Sequence, residues 1–220
     1  MYSPKRQVRS NGRTVVGLVS SHKNTGVQFE SALEEGFLYI LTFDREVKNY
    51  HSQPVQIPYV TVDGKESLYT PDYLVEYLDR SPVLFEVKSA EWLKENKVQY
   101  QSAIDAGKRF AASNGWEYRI VTDKVIRTDY VDNVRFLFRF QDYAIDLSHQ
   151  VLIEKSLGHS AKSIEALVQL MPDNPSALLS SIWAMIYKKK LSCNLFRKLT
   201  MESRVRLSDR PFEMKYPYQL

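Results

Sequence analysis

Asp72, Glu86 and Lys88 are the residues of this sequence whose types and spacing could do chemistry. Pro71-Asp72 falls in one β-rich run, and Leu84-Phe85-Glu86-Val87-Lys88 makes the next. Alternation along a strand sets Val83, Phe85 and Val87 on one face and Leu84, Glu86 and Lys88 on the other. Glu86 and Lys88 therefore project side by side, and a tight hairpin between the runs lays Asp72 next to them. Glu34 can enter from a preceding helix if that helix packs on the same sheet. Hard carboxylate oxygens suit Mg2+, which keeps several waters and is held by one or two acidic side chains plus a phosphate. Such an ion polarises a scissile phosphate and can lower the pKa of a bound water. A neighbouring lysine positions that water and stabilises the negative charge that develops. The product is a nucleophile aimed at a phosphodiester.

The elements that must position these groups can be read around them. Ser31 to Phe43 has helical spacing, with Phe29, Leu33, Phe37, Ile40 and Leu41 on one face. Glu30 and Glu34 lie along the edge of that stripe and Glu35 points away from it. Asp44–Ser52 reads as a polar connection. Gln53-Pro54 begins an extended stretch through Val62, and Asp63-Gly64 is a hairpin turn signal. One return strand is expected over Leu68–Tyr77, with Pro71 at an edge or bulge. A turn at Asp79–Pro82 leads to a strand at Val83–Lys88. Trp92–Ser113 reads as one helix, stopped by Asn114-Gly115. Trp116–Thr122 is the next strand. Strands flanked by helices on one sheet make an α/β or α+β core. Val134–Tyr143 suits helix or strand, and His149–Ser160 is a connector. Helices near Ile164–Met171 and Leu178–Ile186, then possible strands within Leu191–Leu207, suggest a small winged-helix-like module that binds DNA or protein.

Charge is segregated along the 220 residues. Residues 1–28 carry five bases, among them Lys5, Arg6, Arg9 and Arg13, and no acid. Residues 29–150 carry 20 acids against 14 bases, and residues 151–220 carry 11 bases against 6 acids. Basic flanks suit a polyanionic partner. An acidic centre repels phosphate unless a cation neutralises it, which again points to a metal site. The single Cys193 excludes a disulfide framework and reads as a packed side chain. The four histidines show no metal-ligand spacing. No run approaches the roughly 18 apolar residues of a membrane span, and the basic N-terminus lacks an apolar signal core. A soluble, cytoplasmic protein is expected, with no membrane partner.

The spacing Pro71-Asp72 … Glu86-Val87-Lys88 resembles the PD-(D/E)XK nuclease signature. Phe29-Glu30-Ser31-Ala32-Leu33-Glu34, Leu41–Val47, Gln53-Pro54, Tyr69–Val75, Phe85–Lys88 and Gly115-Trp116-Glu117-Tyr118 narrow the likeness to the N-terminal domain of the TnsA family, over roughly residues 28–128. That resemblance implies a restriction-endonuclease-like mixed sheet core flanked by helices, with a small helical, winged-helix-like C-terminal domain. It implies Glu34 as the helix acid, Asp72 as the central metal ligand, Glu86 as the second strand ligand and Lys88 as the catalytic lysine, with Mg2+ as cofactor and Mn2+ as a substitute. Some relatives are expected to carry glutamine at the Glu86 position. It further implies a bacterial enzyme that nicks the 5′ ends of a transposon in double-stranded DNA. Its partners would be a TnsB-type transposase and a TnsC-type ATPase, the latter met through the C-terminal domain. The expected organisation is a basic arm over residues 1–28, an endonuclease domain over 29–148 and a C-terminal domain over 149–220. The rival readings are a stand-alone restriction or repair nuclease and a non-catalytic adaptor between transposase and ATPase. Gln53 could orient the site or cap a turn. Lys188-Lys189-Lys190 could solvate a helix end, touch DNA or dock a partner.

Overall fold

The computed structural model describes residues 16–24 and 26–208. Lys5, Arg6, Arg9 and Arg13 of the expected arm, and the segment from Pro211 onward, lie outside the described residues. The chain divides after Arg127 into two compact units. The division falls before the expected 148/149 boundary because a helix at Asp129–Phe138 belongs to the second unit.

The first unit begins with β1 (Gly17–Val19) and β2 (Val27–Phe29), an antiparallel pair whose Val19, Val27 and Phe29 are buried. The part of the expected arm that is described is therefore a packed hairpin. Helix α1 (Ala32–Phe43) follows, capped by the Ser31 hydroxyl on the Glu34 N–H. At its other end Lys23 Nζ donates to the carbonyls of Leu41 (2.9 Å) and Asp44. Next come β3 (Val47–Ser52), β4 (Ile57–Val60), β5 (Glu66–Tyr69), β6 (Tyr73–Tyr77) and β7 (Val83–Val87). Then α2 (Ala90–Glu95), α3 (Lys97–Ser113), β8 (Glu117–Val121) and α4 (Asp123–Ile126) complete the unit.

Four strands form one mixed sheet in the order β3-β6-β7-β8, with β7 parallel to β8 and the other neighbours antiparallel. Helix α1 covers one face, with the Phe37 ring 5.0 Å from Phe85 and 5.8 Å from Tyr73 between centroids. Helix α3 and the β4–β5 hairpin cover the other, where Leu74 and Leu84 pack with Ile57, Tyr69, Ala103 and Ala106. The fold is thus a mixed α/β sheet between helices, as expected.

Three expectations in this unit are corrected. Residues 47–52 are a strand and not a polar connection. A bulge between Val47 and Asn49 turns both Val47 and Tyr50 inward, and this breaks the alternation by which a strand is read. The single return strand over Leu68–Tyr77 is two strands in different sheets. Pro71 has no N–H for a ladder, and Asp72 spends its groups on its neighbours instead. The helix expected over Trp92–Ser113 starts earlier, at Ala90 behind its cap Ser89, and breaks at Asn96.

The second unit contains α5 (Asp129–Phe138), α6 (Leu147–Leu157), β9 (Lys162–Ser163), α7 (Ile164–Val168), α8 (Pro175–Tyr187), β10 (Leu191–Cys193) and β11 (Arg204–Leu207). The segment expected as a connector, 149–160, is mostly α6. Asp146 caps its start and Gly158, at φ 51°, ends it. Helix α8 supplies the core through Leu178, Ile182, Ala184 and Met185. The strands pair antiparallel in the order β10-β11-β9. From α6 onward the order is helix, strand, helix, helix, strand, strand. Asn133 of α5 belongs here: its Nδ2 donates to the carbonyls of Leu195 (2.9 Å) and Arg197 (2.8 Å), and its Oδ1 accepts from Leu199 N–H (3.0 Å). Lys188 and Lys190 bond to the Tyr143 carbonyl and the Gln150 side chain, so two of the three lysines tie the end of α8 to its own unit. Burial pushes the Cys193 thiol up to about 12, in keeping with a packed side chain. No helix among the described residues is long and apolar enough to cross a membrane.

Candidate active site

The site lies where β6 begins and β7 ends. Antiparallel pairing sets Tyr73 opposite Phe85, which brings Asp72, one residue before β6, alongside Glu86 and Val87. The Asp72 Oδ2 accepts the Val87 N–H at 2.7 Å and meets Lys88 Nζ at 3.3 Å. Lys88 Nζ also lies 2.6 Å from Glu86 Oε1. Asp72, Glu86 and Lys88 are therefore in direct contact, as their spacing predicts. The Lys88 side chain is 28% exposed, that of Asp72 15%, and that of Glu86 1%.

Glu34 is differently engaged. Its Oε2 accepts from the Glu30 N–H and its Oε1 from the Ser31 hydroxyl, both at 2.9 Å, while its own N–H donates to that hydroxyl at the start of α1. It is charge-coupled to Lys88 and to Asp72, so it belongs to the same electrostatic cluster. Among the described residues no three acidic, histidine or cysteine side chains stand as a ready-made metal cage.

The electrostatics follow from three carboxylates around one lysine. Burial, reinforced by Glu86 and Glu34 against the pull of Lys88, holds the Asp72 carboxyl well above its ordinary value. Burial also raises Glu34, against its hydrogen bonds from Glu30 and Ser31 and the attraction of Lys88. Burial disfavours the Lys88 ammonium, but Asp72 and Glu86 outweigh it and keep that charge more firmly than in water. Lys88 is thus held as a cation and hydrogen-bond donor between the two side chains.

A hard divalent cation bound here would rest chiefly on the Asp72 carboxylate. It would relieve the strained charge of Asp72, whose side-chain bonds both fall on Oδ2 and leave Oδ1 outside them. Gln53 lies against the Asp72 main chain. Its backbone is left-handed, at φ 47°, its N–H donates to the Asp72 carbonyl at 2.8 Å, and its Nε2 donates to Glu30 at 2.6 Å. Its Oε1 is buried with no hydrogen-bond partner among the described residues.

Three tyrosines escaped the sequence reading as site residues. Tyr69 OH donates to Glu86 Oε2 at 2.6 Å, and Tyr100 OH to Glu86 Oε1 at 2.5 Å. The Tyr118 hydroxyl lies 2.8 Å from that of Tyr69. Tyr69 spends its one proton on Glu86, so Tyr118 is the donor in that pair. Burial, then Glu86, raises all three phenols, so they remain protonated donors. The Tyr100 and Trp92 rings meet edge to face at 4.9 Å. The only cue in the text was Tyr69 within the Tyr69-Thr70-Pro71-Asp72 run.

Residues 44–123 match the family model described as TnsA-like endonuclease, N terminal. This domain belongs to the TnsA-like endonuclease family. The matched span contains Asp72, Glu86, Lys88 and the three tyrosines, while Glu34 precedes it. No curated protein matches the chain. The match covers the sheet-bearing part of the first unit, and the sheet between α1 and α3 is consistent with a restriction-endonuclease-like core.

Proposed function

We propose that this protein is the TnsA-type endonuclease subunit of a heteromeric, Tn7-type DNA transposase, hydrolysing phosphodiesters at the 5′ ends of the transposon with Mg2+, or Mn2+ in its place. The observation that carries the reading is the contact of Asp72, Glu86 and Lys88 at one sheet edge, inside the family-matched span.

Asp72 would hold the cation, joined by Glu34 and, on the family pattern, Glu86. When bound, the ion would supply Lewis-acid polarisation of the scissile phosphate and a more acidic water. Lys88 is an ammonium held between two carboxylates, so it donates hydrogen bonds to the attacking water or the phosphate oxygens and stabilises charge there. Water adds across the P–O3′ bond, leaving a 3′ hydroxyl and a 5′ phosphate. The first α1 turn holds Glu34 near this centre, coupled to Lys88. A TnsB-type transposase would supply end recognition, and a TnsC-type ATPase would meet the C-terminal unit. In that unit Arg197, Lys198, Arg204 and Arg206 are exposed, and they could add salt-sensitive DNA affinity.

A reconstituted reaction containing the neighbouring transposase and ATPase tests this. Asp72→Ala and Lys88→Ala should each abolish 5′-end nicking while assembly with the partners persists. Undiminished nicking by either variant refutes the site. Efficient cutting by the protein alone would favour a stand-alone nuclease.

A further inference from the structure

Glu86 is nearly inaccessible yet receives three donors: Lys88 and Tyr100 on Oε1 and Tyr69 on Oε2. An ionised carboxylate offers about four acceptor sites. Most of this one is already committed, and all of it is walled by protein. Asp72 is placed in the opposite way, with its contacts gathered on a single oxygen. The tyrosines come from separate elements, Tyr69 from the end of β5, Tyr100 from α3 and Tyr118 from β8. Tyr69 and Tyr100 converge on Glu86 and Tyr118 backs Tyr69, since buried hydroxyls require partners and a buried carboxylate requires donors. Gly107 makes room for these side chains: a Cβ there would stand 2.8 Å from the Tyr69 ring and 2.7 Å from that of Tyr118.

We propose that Tyr69 and Tyr100 are positioning residues that clamp both oxygens of Glu86, and that Glu86 serves as the fixed anchor of Lys88 and not as a metal ligand. The inference rests on the nuclease reading above and reassigns one residue within it. The anchor sets the lysine head beside Asp72, where it must meet the reacting phosphate. Without the hydroxyls, Glu86 remains buried but can rotate, and the lysine follows it away from the aspartate.

The test compares Tyr69→Phe/Tyr100→Phe, Tyr100→Phe alone, Glu86→Gln and Asp72→Asn in the full-length protein. Mn2+ binding is read by electron paramagnetic resonance on the DNA-bound protein. Single-turnover nicking is read in the reconstituted assembly, and DNA affinity separately. The double phenylalanine variant should nick about 10–100-fold more slowly, as loss of a supporting hydrogen bond does in such sites. Its DNA affinity and Mn2+ binding should stay close to wild type, because neither hydroxyl touches Asp72. Glu86→Gln should likewise keep its Mn2+ binding, and Asp72→Asn should lose it. Wild-type nicking by the double variant, or loss of Mn2+ from Glu86→Gln as complete as from Asp72→Asn, overturns the anchor role. If the double variant does not fold, Tyr100→Phe alone is judged by the same readings. Wild-type nicking by Asp72→Asn would instead remove the nuclease site itself, a result distinct from either.

Discussion

Asp72 carries a charge that its surroundings resist. Burial and the two neighbouring glutamates work against it, and Lys88 only partly offsets them. In strong acid the folded and unfolded chains both hold the proton, so nothing is lost. As the pH rises past about 4, the unfolded chain releases its proton first, and stability falls until the raised native value is passed. Asp72→Asn removes this cost. Its melting temperature should match wild type below about pH 4 and exceed it increasingly toward neutrality, while nicking is lost. Calorimetry across that pH range checks the sign; a variant less stable than wild type at pH 7 would show that Asp72 is structural. Added Mg2+ should narrow the gap by stabilising wild type alone. The Asp72, Glu86 and Lys88 contact was legible from strand parity and a short hairpin, both local rules. The tyrosine clamp was not, because its members are separated by up to 49 positions, from Tyr69 to Tyr118, and only the finished sheet and helix bring them together.

Among the elements, α3 has the most exacting task. It packs Ala103, Ala106 and Gly107 close against the sheet and presents Tyr100 to the site. In an isolated helix Gly107→Ala would gain about 1 kcal/mol. Here the added methyl meets two rings whose hydroxyls are tied to Glu86 and to each other, so they cannot swing aside cheaply. Overpacking of this kind costs about 1–3 kcal/mol. Gly107→Ala should therefore lower stability and slow nicking together, whereas Ala substituted at an exposed α3 position such as Lys108 should do neither. Thermal melts beside nicking rates decide it. The elements that follow plain periodicity, α1, β7 and β8, were readable within a residue or so. β3 was hidden by its bulge, and the β5–β6 division was hidden because Pro71 is compatible with either a bulge or a break. The start of α2 was missed because its cap, Ser89, lies beside Lys88, in a stretch read as the end of a strand.

At the scale of the whole molecule, the division after Arg127 moves one helix from the nuclease unit to its neighbour. The text could not show this, since Val134–Tyr143 is aromatic-rich and would suit either side. What decides it is Asn133, a single buried amide that satisfies three main-chain groups in the stretch between β10 and β11. This dictates where the gene can be cut. A fragment opening at Thr128 carries the amide with it and should give a cooperative melt. One opening at 149 leaves those two carbonyls and one N–H to find water in an apolar setting, at roughly 1–3 kcal/mol for each group left unsatisfied. Circular dichroism of the shorter fragment should show a loosened ensemble; a melt as sharp as that of the longer one would mean that the amide is dispensable.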